Sequence, residues 1–529
     1  MSTRTIETSR TRSVVLGGMG IVIVIVIWEL LGQFEVFGRG WPPASDVFRT
    51  FLDDWFILGP ALRITLWSAV RGFVIGLTLG FTLASIGLLV TPLRRGIGRL
   101  ATLLNSIPWI ALGPLIVMVI SSSATPVIFA AMAVFFSSFV AISAGFNLIS
   151  QAHHDVFTVI GSGKLRRFRR LEVPVVIPSL VYAAKLGAPA AMFGVVFGEW
   201  FGVPVGHAGL GVIIITSLQQ FNTARLWAAA GLTAVAAVAA YAILGLVERF
   251  VASRDFAVRG GIREGAGAKR PGPGDRNSIS GRRRIGDVLL TIWPFVAILG
   301  FWQYAISAWQ VNQVVAPSPA SVASDIAANA GTYLEVILST LQMAGLGLLV
   351  GTLIGVAAAL LAWLSPILRG LITSPMIVMY SVPLVATVPI MARVIGYTRT
   401  TVLAVAALVS MFPAFVLVSS GLHSTPPGSE DVFDVMGARR GSRLRYLAMP
   451  SAAPNFLTAF RLNAALAFVA AILGEYLTGR DGLGWTFALS YARLDMPRAW
   501  GAAVLIIMLS VLAYIGASWL EERGQQRML

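Results

Sequence analysis

The sequence predicts an all-α membrane protein of about twelve helices, arranged as two parallel repeats of six. Three observations predict it. The 529 residues are 56% hydrophobic and only 12% charged, with a mean hydropathy of +0.79, a composition that excludes an ordinary soluble protein. Long apolar segments alternate with short polar ones, and Lys and Arg gather in the polar ones, as cytoplasmic loops require. One series of motifs occurs twice in the same order, offset by about 275 residues, so the repeat is parallel rather than inverted.

The net charge of +16 and a pI near 11 invite a nucleic-acid reading. The cations sit beside apolar spans, however, and membrane topology accounts for them; no nucleic-acid partner is expected. Cysteine is absent, which removes disulfides, thiolate nucleophiles and Cys-ligated metal. The four histidines, His153, His154, His207 and His423, have no metal-ligand spacing, and no metal site is expected.

In chain order, Arg4, Arg10 and Arg12 precede an apolar run from Val14 to about Leu31. That run is long enough to span and lacks an A-x-A-like cleavage site. It reads as the first span, entering from the cytoplasm. A Trp41-Pro42-Pro43-Ala44-Ser45 loop follows, echoed by Pro317-Ser318-Pro319-Ala320-Ser321. Thr65-Leu66 leads into Gly72, Gly76 and Gly80, and Thr340-Leu341 into Gly347, Gly351 and Gly355. Glycines four apart line one helix face and predict a close helix–helix seam. The third span carries Ser106, Pro108, Ala111 and Pro114, matched by Ser381, Pro383, Ala386 and Pro389. Prolines there bend a membrane helix and free carbonyls beside a pathway. The fourth span matches Phe136, Phe139 and Gly145 with Phe412, Phe415 and Gly421.

Two basic loops then carry the strongest repeat. Asp155-Val156-Phe157, Gly161 and Leu171-Glu172-Val173-Pro174 recur as Asp431-Val432-Phe433, Gly437 and Leu447-Ala448-Met449-Pro450, with identical internal spacing and an offset of 276 residues. Each reads as a short helix, a glycine and a second helix that Pro174 or Pro450 stops or redirects. In the fifth spans Lys185 aligns with Arg461 and Gly198-Glu199 with Gly474-Glu475, followed by Gly209-Leu210-Gly211 or Gly482-Leu483-Gly484. Counted from Pro178 at 1.5 Å per residue, Glu199 lies about 30 Å along the helix, near the outer interface. The two fifth spans could face each other there. Such acids either close the pathway as an outer gate, or fix the outer loop as a cap or as a salt bridge to Arg225 or Arg498. Lys185 and Arg461 lie nearer the inner side; they either draw in an anion or snorkel to the interface. Arg225-Leu226-Trp227 and Arg498-Ala499-Trp500 open the sixth spans.

The expected boundaries are a first half at 1–251, a cytoplasmic linker at 252–284 and a second half at 285–529. Residues 249–284 hold ten Lys or Arg against three acids, with a Pro-Gly-Pro-Gly run typical of a flexible tether. Both termini are expected inside. Arg393 and Arg399 fall on the predicted outer side and oppose the positive-inside pattern.

The paired loops, at about 151–174 and 427–450, resemble the "EAA" loop of ABC importer permeases, with Asp155 and Asp431 in place of Glu and Val-Phe in place of Ala-Ala. The second copy also keeps Gly437-Ala438. The Trp28-Glu29-Leu30-Leu31 start, the Thr-Leu span, the Ser-x-Pro span and the Gly-Glu…Gly-Leu-Gly segment resemble the nitrate/sulfonate/taurine branch of binding-protein-dependent permeases. The chain departs from that branch at Ser68 and Met343, where an Arg is common.

The resemblance implies a type I ABC importer fold with two permease halves fused. Asp155, Gly161, Pro174, Asp431, Gly437, Ala438 and Pro450 would couple to two ATPase subunits. Ser106, Pro108, Glu199, Lys185, Ser381, Pro383, Glu475 and Arg461 would line or gate the pathway. It implies no cofactor on this chain, with ATP and Mg on the partner ATPase, and an extracytoplasmic solute-binding protein. It also implies a bacterial inner-membrane location and uptake of a small anionic solute such as sulfonate, taurine or nitrate. The alternatives are a fused permease for ferric iron or a thiamine/pyrimidine-type nutrient, or a secondary transporter. No catalytic role is expected. The phosphate-loop look-alike Gly161-Ser162-Gly163-Lys164 lacks the earlier glycine, since position 158 is Thr, and has Leu165 where Ser or Thr is needed.

Overall fold

The computed structural model describes residues 3–90, 123–253 and 317–528, apart from 148, 150, 202–207, 382, 383 and 427, together with residues 96–98, 113, 116, 117, 300, 302–304 and 306–308. These residues form helices and turns without a strand. The first half contains α1 (Thr3–Gln33), α2 (Ala44–Asp53), α3 (Trp55–Leu89), α4 (Thr125–Asn147), α5 (Gln151–Val159), α6 (Lys164–Arg167), α7 (Val173–Glu199), α8 (Leu210–Gln219) and α9 (Thr223–Ser253). The second contains α10 (Pro319–Ala328), α11 (Ala330–Leu364), α12 (Pro366–Ser381), α13 (Leu384–Ile395), α14 (Arg399–Leu422), α15 (Ser429–Val435), α16 (Arg440–Arg443), α17 (Met449–Thr478), α18 (Leu483–Ala492) and α19 (Met496–Met528).

Among the described residues eight helical stretches are long and apolar enough to cross a membrane, four in each half. They are α3, α4, α6–α7 and α9, and α11, α14, α16–α17 and α19. The apolar part of α1, Gly18–Gln33, is shorter. The expected third span of the second half falls on α12, which is described to Ser381, and α13, described from Leu384. Ser106, Pro108 and Pro383 lie outside the described residues, as does 254–284 of the expected linker.

The glycine rows pack as their spacing predicts. A Cβ at Gly80 would lie 2.8 Å from Ser138 Cβ on α4, and one at Gly355 2.8 Å from Ala414 Cβ on α14. In the first half Trp28, Trp41 and Trp227 cluster through edge-on and tilted ring contacts, and Trp28 Nε1 donates to Pro42 O at 3.0 Å. Trp302 and Trp500 stack 4.8 Å apart in the second half. The tryptophans of the first and sixth spans therefore meet, in the aromatic belt expected at a membrane interface.

The halves share one apolar core: Val196, Phe197 and Ile214 belong to the same buried cluster as Val388, Ile390 and Phe468. Helix α1 crosses to the other half, where Gly20 packs directly on the backbone of Leu371 in α12. Arg393 and Arg399, expected on the outer side, each have a local role. Arg393 donates to the Leu218 carbonyl and lies 4.0 Å over the Phe221 ring, across the boundary between halves. Arg399 pairs with Asp481 at 2.8 Å.

One expectation is corrected. Pro174 and Pro450 neither stop nor redirect a helix. A five-residue π-turn, Phe168–Glu172 or Leu444–Ala448, carries the chain from α6 into α7 and from α16 into α17, and the prolines stand at the start of the following spans. Proline is tolerated in a first helical turn, where its missing N–H breaks no helical bond.

Candidate functional site: two coupling loops and two carboxylate caps

The paired loops fold alike. Gly161 N–H donates to Thr158 O at 3.0 Å and Ser162 N–H to Phe157 O at 2.9 Å; Gly437 and Ala438 donate to Asp434 O and Phe433 O, both at 3.0 Å. These are the two bonds that close a helix through a left-handed residue. The φ angles of +67° at Gly161 and +62° at Gly437 complete the motif. A Cβ at either position would meet nothing within 4 Å. Backbone conformation, not crowding within this chain, therefore favours the glycine. The turn leaves apolar side chains in the open: Val159 and Ile160 in the first loop, and Val435 and Met436 in the second, occupy matching positions. Val159 is 87% exposed and Val435 89%. Asp155 and Asp431 stand exposed on α5 and α15, and Ala438 is half-buried. The arginines that follow make each loop an apolar knob with a basic collar.

The loops differ inside. In the first, Arg167 Nε pairs at 3.0 Å with Glu172, whose side chain is fully buried. In the second, Ala448 takes the place of Glu172, and Arg443 turns to Asp434 and to the Ala438 carbonyl. A cleft of about 230 Å³ remains there, walled by Trp363, Glu430, Arg440 and Ala448.

At the C-terminal end of each fifth span the structure unites three motifs that are far apart in sequence. Glu199 is buried. It accepts from Thr65 Oγ1 at 2.9 Å and from the Gly211 N–H at 2.7 Å, while Thr65 Oγ1 accepts from the Leu210 N–H at 2.8 Å. Glu475 repeats this at 3.0 Å with Thr340 Oγ1 and the Gly484 N–H, and Leu483 N–H donates to Thr340 Oγ1 at 3.0 Å. The free N–H groups opening α8 and α18 thus find a carboxylate and a hydroxyl supplied by other helices. The carboxylate lies flat on Gly209 or Gly482, where any Cβ would overlap it. The Thr-Leu, Gly-Glu and Gly-Leu-Gly motifs therefore form one cap. Of the structural alternatives, the cap forms and the salt bridge does not: Arg225 pairs with Asp54 at 2.6 Å, and neither glutamate has an ion pair among the described residues.

The fifth spans do meet near these acids, but through rings. Phe201, just beyond α7, lies 6.2 Å from Tyr476 of α17. Phe197 and Phe129 continue the row into the first half and Phe487 and Tyr491 into the second. Trp200 stands beside the row at 6.1 Å from Phe197. Sequence reasoning missed these residues; the only signal was their position next to the two glutamates.

Lys185 and Arg461 also match. Lys185 pairs with Glu248 of α9 and Arg461 with Glu521 of α19, each at 2.7 Å. Each pair ties a fifth span to the end of a sixth, and the cations are neutralised there. Ser381 is the last residue of α12.

The profile of the family described as "Binding-protein-dependent transport system inner membrane component" matches the chain twice, at residues 54–253 and 351–526. Relatives are similar to one half at a time. A probable ABC transporter permease of Haemophilus influenzae is 26% identical over 45% of this chain and 93% of its own length. A formylaminopyrimidine transport permease of Halalkalibacterium halodurans is 27% identical over 43% and 91%. A riboflavin transport permease of Chloroflexus aurantiacus is 28% identical over 43% and 89%. Others carry names for aliphatic sulfonate, taurine and nitrate transport.

Proposed function

The chain belongs to the family of binding-protein-dependent transport system inner membrane components, and we propose that it supplies both pore-forming halves of one ATP-driven importer. It is a transport permease, not an enzyme; in this family the ATPase is a separate subunit, and an ABC ATPase and a solute-binding protein are its partners. In the proposed assembly two ATPase subunits, carrying the ATP and Mg, each receive one coupling loop. Both termini and the linker are cytoplasmic, and the binding protein delivers solute from the other side. Closure of the ATPase pair moves the loops, and the halves rock between inward- and outward-facing states. The glutamate caps hold α8 and α18 so that the aromatic row between the fifth spans closes the outer side.

The observation that carries this reading is the pair of matching exposed knobs. Val159-Ile160 and Val435-Met436 are uncovered apolar side chains on basic loops, held at the same glycine turn; contiguous exposed apolar surface of this kind marks a protein interface. The test is Val159→Asp combined with Val435→Asp in the complete complex. The ATPase should no longer co-purify, while the chain still inserts. Full retention of the ATPase would overturn the reading, and uptake driven by an ion gradient without any ATPase would favour a secondary transporter.

For the solute, a small anion of the sulfonate, taurine or nitrate kind fits the names of several relatives. A second reading, a planar heteroaromatic nutrient, is favoured by two observations. The cations that would attract an anion, Lys185 and Arg461, are already paired. The halves meet across aromatic rings, which suit a flat ring by stacking. The formylaminopyrimidine and riboflavin permeases, among the relatives covered over most of their length, point the same way. Uptake of labelled taurine, nitrate, formylaminopyrimidine and riboflavin by the complex with its own binding protein separates the two classes.

A further inference from the structure

Helix α2 is amphipathic in a way that the rest of the first half does not explain. On a helical projection Ala44, Val47, Phe48, Phe51 and Leu52 share one side, and Ser45, Asp46, Arg49, Thr50 and Asp53 the other. The apolar side is itself divided. Val47 and Phe51 pack on the shared core, whereas Phe48 is 62% exposed and Leu52 56%.

Two neighbours fix the level of this helix. Glu29, near the outer end of the apolar run of α1, accepts from Ser45 N–H and Ser45 Oγ, both at 2.8 Å. Asp54, just past α2, pairs with Arg225 in the first turn of α9. Helix α2 therefore lies at the outer ends of two spans, level with Trp28, Trp41 and Trp227.

The bare side chains continue onto a lipid-facing surface. Phe48 stacks on Phe51 at 6.4 Å, and Phe51 meets Trp55, the first residue of α3, edge-on at 5.3 Å. The next residue, Phe56, is 74% exposed and shares a helix face with the exposed Trp67, Val70 and Val74. That face of a long apolar span is the one lipid covers.

The second half provides the control. Helix α10 is also ten residues long, and it precedes α11, which matches the 35 residues of α3. Its inward pair is Val322 and Ile326, in register with Val47 and Phe51 and likewise packed inward. Its outward pair, in register with Phe48 and Leu52, is Ala323 and Ala327. The same helix in the same place thus has a greasy outer edge in one half and a methyl-sized one in the other.

We infer that α2 is an interfacial anchor: Phe48 and Leu52 insert into the outer leaflet at the boundary between headgroups and acyl chains, with Arg49 and Asp53 toward water, and α10 makes no such insertion. Helices of this composition lie in the interface plane with the apolar edge a few ångströms into the acyl boundary. The anchor belongs to one half only, so the bilayer holds the two outer rims unequally.

The cysteine-free chain makes the test direct. Phe48→Cys, Leu52→Cys and Ala323→Cys are made singly in the full-length chain and labelled with bimane. Each is reconstituted in phosphatidylcholine vesicles, plain or brominated at the upper acyl carbons. The label on Phe48→Cys and on Leu52→Cys should be blue-shifted and quenched by the brominated lipid, several-fold more than that on Ala323→Cys. Equal quenching at the three sites, or no quenching at Phe48→Cys and Leu52→Cys, overturns the anchor. So does a blue shift at those two sites that appears only when the soluble binding protein is added, which would make this edge a protein interface. Two independent reporters keep the result readable if one variant fails to insert.

Discussion

The two paired basic loops have the same backbone and different interiors. Turn, left-handed glycine, short helix and π-turn repeat at a constant offset of 276 residues, from 161 to 437 and from 168 to 444. Yet the first loop stores a buried carboxylate, Glu172, under Arg167, and the second leaves a cleft beside Ala448. A φ of +67° or +62° favours glycine, which stands at this turn in both copies. An internal ion pair can be lost if its cation finds another acid, as Arg443 has found Asp434. The duplicated loops share the glycine turn and diverge in the ion pair beneath it, whereas the matching left-handed turns after α8 and α18 hold Phe221 and Leu494, both at φ +59°.

The largest expected effect breaks the shared part. Gly161→Leu and Gly437→Leu each force a left-handed residue to carry a branched side chain, at roughly 1–2 kcal/mol. They also tilt the exposed knob away from its partner. Each should abolish transport coupled to ATP hydrolysis while the chain still inserts, measured by uptake and ATPase activity in vesicles. A greater loss at Gly437 is expected, because the second loop also keeps Ala438 in the family's position. Normal transport in both variants would mean that the turn does not transmit.

Exchanging the interiors sharpens the comparison. Glu172→Ala removes the partner of Arg167 and should destabilise the first loop by about 1.5 kcal/mol, the low end for a charged hydrogen bond, because Arg167 is partly exposed and can turn to water. Ala448→Glu should cost much less, because the cleft can receive the new side chain. Hydrogen exchange across 164–172 and 440–448 reads the two separately, and equal acceleration in both would refute the idea.

The caps should behave as equals. Thr65→Val and Thr340→Val each remove the hydroxyl between a glutamate and a helix start, at about 1–3 kcal/mol for the polar groups left unmatched. Protease sensitivity of the loop before α8 should rise as much in the first variant as before α18 in the second. An effect in only one half would show that the caps have separate roles.

The smallest effect concerns a polar contact that only the second half owns. Asn463 Nδ2 donates to Ser410 O at 2.7 Å and approaches Thr352 Oγ1 at 3.4 Å; Gly187 occupies the matching place and packs on Val134. Asn463→Ala should lower stability by about 0.6 kcal/mol, the average for hydrogen bonds between membrane helices, seen as a small drop in the thermal midpoint in detergent. An unchanged midpoint would make the contact incidental.

Much of the fold was legible because it is written twice. A glycine that survives in both copies at fixed spacing, or a Thr-Leu pair followed by a glycine row, stands out without any structure. The pairing of those motifs was not legible. Nothing local tells that Thr65 and Glu199, 134 residues apart, hold one helix start, since that depends on how three helices pack. The ion pairs of Lys185 and Arg461 were hidden likewise: Glu248 lies 63 residues from Lys185, on another span. The prolines misled because the stopping rule assumes α geometry, and a π-turn removes the clash before they are reached. The aromatic row was missed because single rings in apolar spans carry no pattern of their own.

The seat of α1 has a consequence for biogenesis. Gly20 packs on Leu371, a residue translated 351 positions later. At roughly 5–20 residues per second, α1 waits about 20–70 s for its partner helix. During that interval its Trp28 and Glu29 end can meet α2 and α9, but the stretch around Gly20 faces lipid where α12 will sit. Its run of Ile and Val from Ile21 to Ile27 suits it to wait, because no side chain in that run needs a protein neighbour. An insertion intermediate with α1 crosslinkable to lipid, and not yet to α12, should therefore be long-lived enough to trap on the ribosome.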